Sequence, residues 1–122
     1  MPKILIVEDI DEIRENACEL LELNGFDVIT AHNGAVALEM LTSCEVDLIL
    51  SDIIMPDMDG FEFLDNLRKD PKVKDIPFIY MSASVQEKEK QMAFEKGISG
   101  FIHKPFFEEE MLDAIQKALE KS

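Results

Sequence analysis

The sequence predicts an α/β fold, a doubly wound chain of five strand-helix pairs around a five-stranded parallel sheet. Short apolar runs alternate with longer amphipathic ones from one end to the other, the pattern of a parallel sheet with crossover helices. Three of the short runs carry almost no polar residues, as strands covered on both faces must. At 122 residues the chain is the size of one domain with one core.

The first strand is predicted at Lys3 to Val7. Helix one follows from the acidic start Asp11 and Glu12, turns Ile13, Ala17, Leu20 and Leu21 inward, and stops at Asn24 and Gly25, residues that commonly end helices. Strand two spans Asp27 to Ala31. Helix two runs from about Gly34 to Thr42 with Ala37, Leu38 and Leu41 inward. Strand three is read at Val46 to Leu50. Helix three begins near Phe61 and ends before Pro71, burying Phe63, Leu64 and Leu67. Strand four is Phe78 to Met81, and helix four is Val85 to Lys96, ended by Gly97. Strand five is Gly100 to His103. Helix five, about Glu108 to Lys121, places Met111, Leu112, Ile115, Ala118 and Leu119 on one stripe.

The charge balance narrows the partners. With 26 acidic and 12 basic residues, the formal net charge of -14 repels nucleic-acid backbones and anionic lipid, so direct nucleic-acid binding is not expected. The longest apolar runs fall far short of the roughly 20 residues that span a bilayer, and the start is not signal-like. A cytoplasmic location is expected. Cys18 and Cys44 lie near no His or second Cys at metal-ligand spacing and read as small buried hydrophobes. His32 and His103 read as exposed. The chain starts like a natural N-terminus and stops soon after helix five, which fits a stand-alone protein or the N-terminal part of a longer one.

In a doubly wound sheet, ligands bind outside the carboxyl ends of the strands, where the strand order reverses. Glu8 and Asp9 follow strand one, Asp52 follows strand three, Ser82 follows strand four, and Lys104 with Pro105 follows strand five. Three acids on one rim repel one another, and a bound divalent metal removes that conflict. All-oxygen ligands beside a substrate phosphate suit Mg²⁺. No glycine-rich phosphate loop or Cys-His pairing is present, so the candidate nucleophile is a carboxylate. Asp52 attacking a phosphoryl group gives an acyl phosphate, with Lys104 neutralising the transferred oxygens and Ser82 donating to one of them.

These residues carry a resemblance. Over its whole length, 1–122, the chain is similar to the receiver domains of bacterial two-component response regulators. It matches their acidic pair (Glu8, Asp9), their phosphoacceptor segment (Asp52 to Gly60), their hydroxyl and small residue (Ser82, Ala83) and their Lys-Pro (Lys104, Pro105). The resemblance implies a flavodoxin-like sheet of order 2-1-3-4-5. It makes Asp52 the phosphorylated residue, with Asp9, Asp52 and the Ile54 carbonyl as Mg²⁺ ligands and Glu8 acting through water. Pro105 is then expected to follow a cis peptide bond, an arrangement found in about 5–6% of bonds before proline. Ser82 and Phe101 become the switch pair, and helix four, strand five and helix five become the output face for a partner or output domain. Ile54 and Ser84 occupy the positions that tune phosphoryl lifetime. Apolar Ile54 offers nothing to orient an attacking water, which predicts slow self-dephosphorylation. The donor is expected to be a histidine kinase or phosphotransfer protein, and a phosphorylation-dependent dimer stays open. The chain is then a switch and not an ordinary enzyme.

Three rivals share parts of this pattern. An Asp-nucleophile phosphatase needs a second acid where Ile54 stands, and a flavodoxin-like electron carrier needs a hydroxyl-rich phosphate loop after strand one, which is missing. A degenerate receiver acting only as an interaction module would not be expected to keep the acidic set.

Overall fold

The computed structural model of the chain describes residues 2–53, 55, 58–82, 87–104 and 108–120. Among these, β1 (Lys3–Val7), β2 (Asp27–Ala31), β3 (Leu48–Asp52), β4 (Phe78–Ser82) and β5 (Gly100–His103) form one parallel sheet in the order β2-β1-β3-β4-β5. The helices are α1 (Asp11–Leu23), α2 (Gly34–Met40), α3 (Gly60–Lys69), α4 (Glu87–Glu95) and α5 (Glu108–Glu120). This is the doubly wound, flavodoxin-like fold, and its order reverses between β1 and β3.

Alternation along the strands sorts the core into two layers. Ile4, Ile6, Leu48, Leu50, Ile79, Met81 and Ile102 face α1 and α5, meeting Ala17, Leu21, Met111, Ile115 and Ala118. Leu5, Val7, Ile49, Phe78 and Tyr80 pack with Ala37, Phe63, Leu64, Leu67 and Ala93 of α2, α3 and α4. β3 and β4 are buried at every position, which is why their sequences lack polar alternation.

The helix ends follow their local chemistry. After α1, Gly25 adopts a φ of 88°. There its N–H bonds to the Glu22 carbonyl and the Phe26 N–H to that of Leu21, closing the helix with a left-handed residue that costs glycine little. Gly97 repeats the device after α4 at φ 93°. Asn33 caps α2 by accepting from the Val36 N–H, and Asp59 caps α3 by accepting from that of Glu62.

Several boundaries differ from expectation. β3 begins at Leu48 and not Val46, because the Asp47 N–H and carboxylate are spent on the backbone of Lys3, at 2.8 Å each, before the ladder starts. It runs on through Asp52, and β4 runs on through Ser82, so both site residues end a strand where they were expected to follow one. α2 stops at Met40, and α3 starts one residue early because Asp59 is its cap. The start of α4 at Val85 and the end of α5 at Lys121 lie outside the described residues. Cys18 and Cys44 are half-buried where they were read as buried; Cys18 lies along α1 with its sulfur 3.5 Å from Glu22 Oε1.

Candidate functional site

The carboxyl ends of β1, β3, β4 and β5 bring the polar residues together. The Glu8 N–H bonds to the Ala31 carbonyl, carrying the ladder one residue past Val7, and this leaves the Glu8 side chain wholly buried. Asp52, the last residue of β3, is 6% exposed. Likewise the Lys104 N–H bonds to the Ser82 carbonyl at 2.9 Å, extending β5 against β4. That extension sends the Lys104 ammonium across the sheet end to Asp52 Oδ2 at 3.0 Å and to Glu8 Oε1 in a short ion pair. The second carboxylate oxygens are held by backbone: the Ile53 N–H donates to Asp52 Oδ1 at 2.7 Å and the Ile10 N–H to Glu8 Oε2 at 3.3 Å. Arg14 donates to the Glu8 carbonyl at 2.9 Å and pairs with Asp11, fastening the start of α1 to the site.

The electrostatics show strain among the acids. Burial pushes the Glu8 carboxyl up to about 7; the hydrogen bond from Lys104 opposes the rise and the Asp52 charge adds to it. For Lys104, burial acts to lower the pKa, but the hydrogen bonds and charges of Glu8 and Asp52 outweigh it and hold the ammonium above its ordinary value. Carboxylate oxygens of Glu8, Asp9 and Asp52 lie within 4.8 Å of one another. With all three ionised and Lys104 protonated, the cluster carries a formal charge of -3 + 1 = -2.

Asp9 Oδ1 tests whether a cation fits here. It is buried and has no hydrogen-bond partner among the described residues. A buried carboxylate oxygen without a partner is costly, and a divalent cation supplies the missing partner while matching the charge.

The structure therefore assembles Glu8, Asp9, Asp52 and Lys104 and sets Ser82, 1% exposed, at the neighbouring strand end. Phe101 stands apart, half-buried on the face of β5 that looks toward α4, its ring 5.2 Å from that of His103 and 5.5 Å from the Lys90 ammonium. Core packing and partial exposure are thus combined in one side chain. His32 and His103 are exposed, as expected. Ile54, Ser84 and Pro105 lie outside the described residues. Sequence reasoning missed Arg14 and Tyr80. Tyr80 had a usable signal, since a phenol in a strand of otherwise apolar neighbours must find a buried partner.

The model of the response regulator receiver domain matches residues 4–116, and the chain belongs to that family, the phosphoacceptor signalling modules of two-component regulatory systems. The chain is 34% identical over 122 residues to the DNA-binding dual master transcriptional regulator RpaA of Synechocystis, covering all of this chain and 51% of the relative. To the phosphate regulon transcriptional regulatory protein PhoB of Escherichia coli it is 33% identical over 119 residues, covering 98% and 52%. The chain spans about half the length of these curated relatives. The crystal structure of chemotaxis protein CheY4 of Vibrio cholerae superposes with a TM-score of 0.92 at 34% identity, covering 98% of this chain and 99% of that one. Receiver domains are signalling modules and not classical enzymes. Among the described residues, no helix is long and apolar enough to cross a membrane.

Proposed function

We propose that residues 1–122 form a Mg²⁺-dependent phosphoacceptor switch in which Asp52 receives a phosphoryl group from a histidine kinase or phosphotransfer protein. The observation that carries this reading is the buried Asp9 Oδ1, which has no partner among the described residues, beside two further carboxylates and the Lys104 ammonium. Asp9, Asp52 and the Ile54 carbonyl would hold the ion, with Glu8 acting through water. Mg²⁺ would supply positive charge to the phosphoryl oxygens as they approach the acids.

The chain's own residues supply the rest. A carboxylate oxygen of Asp52 forms the new bond to phosphorus while the bond to the donor's histidine nitrogen breaks, leaving an acyl phosphate. Lys104, already 3.0 Å from Asp52 Oδ2, neutralises the arriving oxygens. Ser82 donates to one of them, and its movement gives Phe101 room to turn inward, shifting a pre-existing equilibrium on the α4-β5-α5 face that a partner or output domain reads. Incubation with acetyl phosphate and Mg²⁺, followed by intact mass, tests the reading. Wild type is expected to gain one phosphoryl group only with Mg²⁺, and Asp52→Asn none. A wild type that gains nothing, or an Asp52→Asn that gains as much, overturns it.

A further inference from the structure

Tyr80 is the chain's one tyrosine and sits fully buried in β4. Its hydroxyl donates to the Gly60 carbonyl at 2.5 Å. Gly60 opens α3, and its own N–H donates to the Ile53 carbonyl at 2.6 Å, so the two ends of the segment that leaves Asp52 are tied to each other and to Tyr80. The packing there is close. A Cβ added to Gly60 would lie 2.7 Å from the Asp52 carbonyl oxygen, 2.7 Å from Ile53 Cα and 2.9 Å from the Tyr80 ring, so only glycine fits between ring and strand.

The ring itself is held by Phe61 at 5.6 Å and by Phe78, edge-on, at 4.8 Å. Tyr80 stands opposite Ser51 on one side and Phe101 on the other in the strand register. Burial, then the nearby charges of Asp59 and Asp65, holds the phenol protonated far above its ordinary range, so the hydroxyl remains a donor.

We infer that Tyr80 is a positioning residue for the phosphoacceptor site: its hydroxyl, acting through Gly60, fixes the Ile53 end of the segment leaving Asp52 and thereby sets the affinity for the divalent cation. An apolar side chain of similar size would fill the same space in β4 but would leave the Gly60 carbonyl without this donor. The inference rests on the proposed Mg²⁺-dependent role of Asp52, and its test separates the two.

Wild type, Tyr80→Phe and Ile115→Val are compared by Mg²⁺ titration calorimetry, thermal unfolding and hydrogen exchange of the Gly60 amide in metal-free buffer. Tyr80→Phe keeps the ring stack and loses only the hydroxyl. It is expected to speed Gly60 exchange and to weaken Mg²⁺ binding about three- to tenfold, the scale of one neutral hydrogen bond. Its phosphorylation by acetyl phosphate should slow at low Mg²⁺ and recover at saturating Mg²⁺. Ile115→Val, which trims a buried side chain in the opposite core layer and leaves the Tyr80 hydroxyl and its ring neighbours alone, should lower the melting temperature without moving Mg²⁺ affinity. A Tyr80→Phe protein with wild-type Mg²⁺ affinity overturns the inference, whatever its melting temperature. A second measurement needs no variant at Tyr80: because the chain has one tyrosine, 3-fluorotyrosine labelling places a single ¹⁹F probe there. Mg²⁺ should shift its resonance in wild type and not in Asp52→Asn; an unmoved resonance in a wild type that binds Mg²⁺ also overturns the inference. A wild type that binds no Mg²⁺ sinks the phosphoacceptor reading itself, and the inference with it.

Discussion

Replacing Lys104 with alanine removes the cation facing Glu8 and Asp52 while leaving both acids in place. The Glu8 side chain is 0% exposed and that of Asp52 is 8% exposed, so in the folded protein both acids depend on the lysine far more than on solvent. Breaking a buried pair by removing one partner costs about 3–5 kcal/mol. Glu8, already pushed up to about 7, recovers part of that by holding a proton, which brings the expected loss to about 2–4 kcal/mol. For a domain of this size each kcal/mol moves the melting temperature by about 3–5 °C, so metal-free Lys104→Ala should melt about 6–20 °C below wild type. Mg²⁺ then has more to offer the variant than the wild type, because no ammonium competes with it for Asp52. Thermal unfolding of both proteins across a Mg²⁺ series measures this. The expected result is a larger Mg²⁺-induced rise for Lys104→Ala, together with slower phosphorylation by acetyl phosphate. A metal-free variant that melts with wild type, or equal Mg²⁺ stabilisation of the two, refutes the reasoning.

Ile54→Asn should shorten the phosphoryl lifetime, because a side-chain amide can orient an attacking water where isoleucine cannot; following decay of the phosphorylated protein checks this, and a slower variant refutes it. At the opposite end of the sheet, Arg68 donates to the carbonyls of Lys74, Ile76 and Gly97 and so joins the loops that lead into β4 and β5. Arg68→Met should cost about 1–3 kcal/mol in denaturant unfolding while leaving the phosphorylation rate of the folded protein unchanged, and a large rate effect would show that these loops act on the site.

The class and the order of elements were legible because hydrophobic runs report burial directly, and β1, β2 and β5 have the bounds their runs suggested. β3 and β4 were misjudged at their carboxyl ends for a physical reason. Apolarity marks the strand positions that meet apolar helix side chains, whereas the hydrogen-bonded ladder continues one or two residues further into polar residues that are buried too, Asp52 and Ser82. That Glu8, Asp9, Asp52 and Lys104 meet on one rim was readable from strand ends alone. The pairing among them was not, since neighbouring residues on one rim can face different ways: Glu8 meets Lys104, while its neighbour Asp9 carries an oxygen with no partner among the described residues. Nor can a one-dimensional pattern show that Gly60 is wedged against the backbone of Asp52 and Ile53, because that contact depends on where α3 docks.

The ion pair between Lys104 and Glu8 joins residues 96 apart in the chain, and that between Lys104 and Asp52 joins residues 52 apart. Contacts of such separation form only when the intervening chain has been laid down and closed, at an entropic cost that local contacts do not meet. The ammonium that faces Asp52 is therefore contributed from the end of β5, the last of the described strands in chain order. A chain released early, or one caught with β5 undocked, presents the aspartate without its lysine. If Asp52 takes a phosphoryl group as proposed, its readiness to do so depends on β5 having docked, since only then does the Lys104 ammonium face it.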